Sequence, residues 1–202
     1  MSSCKNPPTN TCSNMAGDQE AAIRELGSRL RARRNELGWT IEELAAKAQV
    51  SPGLISQMER GIGNPAFMTL VRIAYPMDLN LSKLFEGPDS TSQVVRKSQR
   101  KRLQIPDPGV TFELLTPDSH RDLEMVWVEY GPGVTTSEQP FQHKGQECGL
   151  ILQGKLEVHI GDETYLLEAG DSIWMDCTIP HWYLNPGQER CICVWAITPP
   201  SF

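Results

Sequence analysis

The chain has 202 residues and a net charge of -6, long enough for one large domain or two small ones with buried cores. Its charge is divided, because residues 1–102 carry 15 Lys and Arg against 10 Asp and Glu, whereas 103–202 carry 4 against 15. A basic half joined to an acidic half excludes a uniformly basic nucleic-acid coat protein and assigns any nucleic-acid contact to the first half.

Cys4, Cys12, Cys148, Cys177, Cys191 and Cys193 come without a signal peptide or an apolar run long enough to span a bilayer. A cytoplasmic protein with reduced thiols and no membrane partner is therefore expected. Cys191 and Cys193 are two apart and would share one face of a strand, where packing is their simplest role.

Residues 1–17, rich in Ser, Asn, Thr and Pro, read as a disordered tail. Asp18 can cap a first helix over 19–37, with Ile23, Leu26, Leu30 and Leu37 on one side. Arg29, Arg31, Arg33 and Arg34 crowd that helix. Thr40 stands three residues before Glu43, the spacing of a reciprocal capping box, so a second helix should begin at Ile41. Ser51 followed by Pro52 is another start signal, giving a third helix over 52–60 that Gly61 stops. Only Gln49 and Val50 remain between them, enough for a sharp turn.

Leu44, Ala45 and Ala48 would face Ile55 and Met58 across that turn. The third helix then turns outward Pro52, Gly53, Ser56, Gln57 and Arg60, a set that is small or polar and contains no acid. Gln57 can present a donor and an acceptor to an adenine edge, and Ser56 can bond several bases. Arg60 and the helix N-termini suit phosphates. Asn64 and Pro65 open a fourth helix towards Met77, which Pro76 should end or kink, and Asn80 opens a fifth ending near Glu86. The run 87–92, GPDSTS, is a natural boundary. A basic cluster follows at Arg96, Lys97, Arg100, Lys101 and Arg102, read as a solvated edge strand in preference to a second DNA contact.

From about residue 94 the pattern changes period. β-rich runs at 110–115, 123–130, 148–153, 156–160, 164–167, 172–175, 182–184 and 190–197 alternate with Gly, Pro, Asn and Asp turn signals. Such a series reads as an all-β sandwich or barrel.

Two resemblances follow from these residues. Over 23–85 the chain resembles the XRE family of lambda-repressor-like helix-turn-helix regulators, through Glu43-Leu44-Ala45, Ser51, Ile55-Ser56, Glu59 with Gly61, Pro65, Leu70, Ile73-Ala74 and Leu84-Phe85. The resemblance implies base contacts from Pro52, Gly53, Ser56 and Gln57, with Thr40, Ile41, Ser51, Arg60 and Asn64 completing the DNA-facing set. It also implies an ion pair between Arg34 and Glu59. Gln49 departs from the pattern, standing where the family usually has a left-handed Gly.

Over 94–202, His143, Glu147, Gly154, Gly170-Asp171, His181 and Asn185 resemble the two motifs of the cupin barrel. Metal-binding cupins bring a His-x-His pair, a Glu and a later His together. Here these positions match Phe141, His143, Glu147 and His181, so the first His is lost. His143, Glu147 and His181 could still hold Zn or Fe(II), or line an apo pocket. Trp127, Trp174, Trp182, Tyr183 and Trp195 are candidates for an aromatic lining, about half of them as core. Phe141, His143, Glu147, His181, Tyr183 and Trp195 form the candidate effector pocket. Related regulators respond to polyamines and amino-acid derivatives, which makes an amine, amino acid or similar metabolite the expected effector.

Together these readings give a tail (1–17), a five-helix DNA-binding domain (18–86), a linker (87–93) and a cupin, or double-stranded β-helix jelly-roll barrel (94–202). The implied function is a sequence-specific transcriptional repressor, a homodimer on a near-palindromic double-stranded operator, whose cupin both dimerises and senses an effector. The alternative is a mononuclear non-haem iron enzyme of the hydroxyphosphonate epoxidase type, which also joins a helix-turn-helix to a cupin.

Overall fold

The described residues of the computed structural model are 12–63, 66–79, 81, 92–103, 109–117, 122–136 and 140–200. Their helices are α1 (Cys12–Glu36), α2 (Ile41–Ala48), α3 (Pro52–Glu59) and α4 (Phe67–Ala74). Helix α1 begins at Cys12, ahead of the expected cap at Asp18, so the tail expected over 1–17 loses its last residues to the helix. Met15 and Ala16 favour helix, and Gly17 opposes it by only about 1 kcal/mol. The fifth helix expected over 80–86 lies outside the described residues except for Leu81, which is buried. Asn64 and Pro65 also lie outside them.

Local chemistry sets the two central helices. The Thr40 hydroxyl accepts the Glu43 N–H at 3.1 Å while the Glu43 carboxylate accepts the Thr40 N–H at 2.7 Å. Ser51 Oγ accepts the Leu54 N–H at 3.2 Å, and Pro52 fills the first helical position. Gln49 sits at φ 54°, the left-handed conformation in which a side chain costs about 1 kcal/mol. Pro76 has the expected effect, since α4 gives way at Ala74 to a 3-10 turn over Tyr75–Met77. Leu26, Leu30, Leu44, Ile55, Leu70 and Ile73 form the buried centre of this half. Gly27 allows α1 and α3 to touch, because a Cβ there would stand 2.2 Å from the Met58 carbonyl oxygen.

The second half is antiparallel: β1 (Lys101–Arg102), β2 (Val110–Leu114), β3 (Glu124–Tyr130), β4 (Gln146–Gln153), β5 (Lys155–Ile160), β6 (Glu163–Glu168), β7 (Ser172–Asp176), β8 (His181–Leu184) and β9 (Cys191–Thr198). All eight expected runs are strands, each within a few residues of its expected bounds. A six-stranded sheet in the order β1-β2-β3-β9-β4-β7 faces a three-stranded sheet in the order β6-β5-β8. Alternation directs Val126, Val128 and Tyr130 of β3, Cys193, Trp195 and Ile197 of β9, and His181 and Tyr183 of β8 into the space between. The expected closed barrel is instead two sheets. Among the described residues the segment between β3 and β4 pairs with β8 through isolated bridges, Thr135 to Leu184 and Phe141 to His181, and not as a continuous strand.

The basic cluster supplies edge strand β1, as expected. Arg100 and Arg102 pair with Glu113 at 3.2 and 2.8 Å. Among the described residues no helix is long and apolar enough to cross a membrane.

Candidate functional site

Two surfaces carry chemistry. The first is the outward side of α3. Pro52, Gly53, Gln57 and Arg60 are exposed and Ser56 half-buried, with Thr40 and Ser51 exposed at the adjoining caps and Ile41 half-buried. Ile55, Met58 and Glu59 point the other way and are buried. Arg60 Nε donates to the Ser56 carbonyl at 3.1 Å, which lays the guanidinium along this side.

Glu59 anchors the helix from beneath. Its carboxylate accepts from Arg34 Nε at 2.5 Å, Arg34 Nη2 at 2.9 Å and Arg31 Nε at 3.2 Å, and Arg34 Nη1 donates to the Trp39 carbonyl at 2.7 Å. Burial works against the Glu59 charge, but the two arginines outweigh it and hold the carboxyl below its ordinary pKa. The expected Arg34–Glu59 pair is thus present, with Arg31 as an unforeseen third member. It fixes α3 to α1, and with it the direction of the exposed side.

The second surface lies between the sheets. His143 and Glu147 precede and begin β4, and His181 and Tyr183 alternate along β8, so all four converge and all are buried. His143 Nε2 lies 3.1 Å from Glu147 Oε1, and the Tyr183 hydroxyl donates to Oε2 at 2.9 Å. Burial opposes the imidazolium of His143, yet Glu147 prevails and raises its pKa. His181 goes the other way, burial holding its pKa down. Phe141 stacks on His143 at 6.2 Å and tilts against His181 at 4.3 Å. It occupies the place of the lost ligand with an apolar ring.

All six expected pocket residues are brought together. Of the five candidate aromatics Tyr183 and Trp195 face inward, and the other three are not buried core: Trp127 lies beneath Arg100, Trp174 is 62% exposed and Trp182 stacks on His159 at 3.6 Å. The adjoining cavity, lined by Glu147, Tyr183, Trp195, Phe141, Tyr130 and Phe112, has a volume of about 20 Å³. That is room for a single water-sized occupant.

Two features were missed, the Tyr75 contact and the cleft beside it, while Cys177 was legible only as a thiol close in sequence to the pocket residues. Cys177 lies in the buried cluster, where its Sγ joins one ligand atom each of His143, Glu147 and His181, all within 4.8 Å of one another. Its position four residues before His181 was the available signal. Burial and the Glu147 charge push the Cys177 thiol pKa far up. Cys148 faces outward and is exposed. The Tyr75 ring stands 6.5 Å from His143, edge-on, where the helical half meets the cupin half. Beside it a cleft of about 390 Å³ is lined by Lys47, Gln49, Arg72, Tyr75, Phe141 and Gln142.

The buried cluster fits a divalent ion on its own chemistry. His181 is fully buried, its Nδ1 lies 2.9 Å from the Ile179 carbonyl, and its Nε2 has no hydrogen-bond partner among the described residues.

Comparison with known proteins agrees with this architecture. Residues 30–84 match the helix-turn-helix family and 126–197 the cupin domain family. The chain is 31% identical over 180 residues, 87% of its length and 96% of the relative's, to the HTH-type transcriptional regulator PuuR of Escherichia coli K12. It is 25% identical over 175 residues, 84% of its length and 92% of the relative's, to the regulator SutR of the same organism. Among solved structures, an HTH_3 family transcriptional regulator from Vibrio cholerae superposes with a TM-score of 0.68 at 19% identity, over 90% of this chain and 99% of that one.

Proposed function

The chain belongs to the HTH-type transcriptional regulators that join a helix-turn-helix domain to a cupin domain, and from that premise we propose that it acts as a homodimeric repressor in the cytoplasm. Helix α3 enters the major groove. Gln57, Ser56, Gly53 and Pro52 meet base edges, while Arg60, Ser51, Thr40, Ile41 and Asn64 hold the phosphates on either side. The observation that carries this is the open, acid-free side of α3, held outward by the buried Glu59 clamp.

The outer side of the six-stranded sheet supports dimerisation. Leu150 is 42% exposed, Leu152 43% and Trp174 62%, and half-buried Ile192, Val194 and Ala196 run beside them. A sheet that is apolar on both sides needs a second cover, and a second copy of the same sheet supplies one. Two recognition helices about 34–36 Å apart then read a near-palindrome with half-sites about one turn apart.

Sensing is assigned to the cupin half and the cleft above it. Lys47 and Arg72 border that cleft, a charge pattern that suits a carboxylate and so favours an amino acid over a simple amine. Tyr75 touches His143, and Arg72 Nη2 donates to the Gln49 carbonyl at 2.9 Å in the turn before α3. One short segment therefore contacts both the pocket and the turn that aims the recognition helix. An effector works through it only if it binds one arrangement better than the other.

The iron-enzyme alternative draws on the same His143, Glu147 and His181. It needs space for a substrate beside them and a cation for a phosphonate. The cavity beside Glu147 offers about 20 Å³, and its described lining holds no Lys or Arg. The test of the regulator reading is selection of bound duplexes from a random library by the full chain. An enriched near-palindrome is expected; a library left unenriched would overturn the reading.

A further inference from the structure

Cys177 has no part in the reading above, yet it sits in the densest cluster of metal-ligating atoms among the described residues. His143, Glu147, Cys177 and His181 each direct one such atom into a space where none is more than 4.8 Å from another, and all four are buried.

Their hydrogen bonds fix which atoms face that space. His181 Nδ1 lies 2.9 Å from the Ile179 carbonyl and His143 Nδ1 lies 3.1 Å from the Lys144 carbonyl. A carbonyl only accepts, so both Nδ1 atoms carry protons, and a neutral ring then presents a bare lone pair at Nε2. His181 Nε2 has no hydrogen-bond partner among the described residues, although the residue is fully buried. His143 Nε2 faces Glu147 Oε1, itself an acceptor. The Tyr183 hydroxyl is already spent on Oε2. In the ion-free chain a proton on His143 Nε2 serves the Glu147 pair and the Cys177 thiol reaches the Met175 carbonyl at 4.0 Å, which leaves His181 Nε2 as the buried acceptor without a donor among the described residues, facing His143, Glu147 and Cys177. A positive ion satisfies all four at once. Backbone carbonyls holding the far nitrogens of both rings are also the supports that orient histidine ligands.

We propose that Cys177 is the fourth ligand of a closed tetrahedral site for a divalent ion of the zinc class, completed by His143, Glu147 and His181. In such a shell, with ligand bonds of about 2.0–2.3 Å, ligand atoms stand roughly 3.3–3.8 Å apart. The cluster therefore needs to contract by only about 1 Å. On binding, the sulfur–ion bond forms as the S–H bond breaks, and the thiol proton and the one on His143 Nε2 leave to solvent. No redox step is involved. Phe141 blocks the position of the lost histidine, and the thiolate takes the fourth corner from the β7–β8 turn instead. A shell filled by four protein atoms has no open position for a substrate, which makes the ion a structural or sensed ligand. This deepens the reading of the cupin as the sensing half and rests on it.

The test uses the full chain stripped by chelator and titrated with Co(II) as a spectroscopic stand-in for Zn(II). One ion per chain is expected, with the strong visible bands of a tetrahedral site and a near-ultraviolet thiolate-to-cobalt charge-transfer band. Cys148→Ala should leave every band unchanged. Cys177→Ser should abolish the charge-transfer band and weaken Zn(II) binding by at least the roughly 10–100-fold that loss of a mere supporting group costs a metal site. Wild-type protein that binds no ion, or binds it without the sulfur band, would overturn the proposal whatever the variants do. So would a band that survives Cys177→Ser. Duplex selection run on the same preparation separates the two claims: an operator without a cobalt band sinks the metal site alone, and a cobalt band without an operator sinks the regulator reading alone.

Discussion

Replacing Glu59 with Ala removes the acid on which α1 and α3 converge. Its side chain is 2% exposed and that of Arg34 11%, whereas Arg31 is 53% exposed. The Arg31 bond is therefore screened and contributes at most about 1 kcal/mol. The Arg34 bonds are another matter, because the substitution leaves a nearly buried guanidinium with the Trp39 carbonyl as its remaining hydrogen-bond acceptor among the described residues. Breaking a buried pair in this way costs about 3–5 kcal/mol. At about 4–8 °C per kcal/mol for a domain of this size, a cost near 3 kcal/mol lowers the midpoint of the helical half by roughly 12–24 °C. Thermal unfolding followed by far-UV circular dichroism reads the change. The pH dependence supplies a second signature. The folded Glu59 pKa is depressed, so its stabilising effect is fully present above the unfolded carboxylate range of about 4.3 and is lost as pH falls through the lower folded value. The gap between wild type and Glu59→Ala should hold from pH 7 to 5 and close in more acidic buffer. A cost below about 1 kcal/mol at pH 7, or a gap indifferent to acid, would refute the clamp.

Other expectations are independent of that clamp. Gly27→Ala drives a methyl into the Met58 carbonyl and should cost about 1–3 kcal/mol in the same melt; an unchanged melt would contradict the close approach of α1 and α3. Trp174→Asp puts a charge on the apolar sheet side and should weaken self-association at least about tenfold in sedimentation, since burying one large apolar side chain is worth about 1.5–3 kcal/mol. An unaltered dimer would move the interface elsewhere. Tyr75→Ala should leave operator affinity without effector within about threefold while reducing the response to effector, the coupling of about 1–3 kcal/mol being carried through this contact. A full response would remove Tyr75 from the route.

Much of this was legible in the sequence where chemistry is local. The Thr40 box, the Ser51-Pro52 start, the left-handed Gln49 and the break at Pro76 each depend on neighbours within a few residues, and each appears as read. Strand runs were equally plain, because alternation in β3, β8 and β9 is a period-two signal. Properties set by distant partners were not. Trp174 and Trp182 looked like lining residues, but which side of a strand faces inward depends on pairing across the sheet, and they fell on the outer side. Cys177 becomes part of a cluster only when β4 and β8 close around it. The cavity volume follows from how Phe141, Tyr183 and Trp195 fill the space together, which composition does not encode. Tyr75 meets His143 across 68 positions of sequence, with no pattern in the chain to announce it.

The central claim is that the open side of α3 reads bases. Its most direct measurement is the binding of wild type, Gln57→Ala and Arg60→Ala to the selected operator and its single-base variants across a range of salt. Gln57→Ala should lose about 1–3 kcal/mol of discrimination at one base pair and keep the rest. Arg60→Ala should weaken every sequence alike and flatten the salt slope by about one charge. Base preference unchanged by Gln57→Ala would contradict the assignment of this helix to the groove.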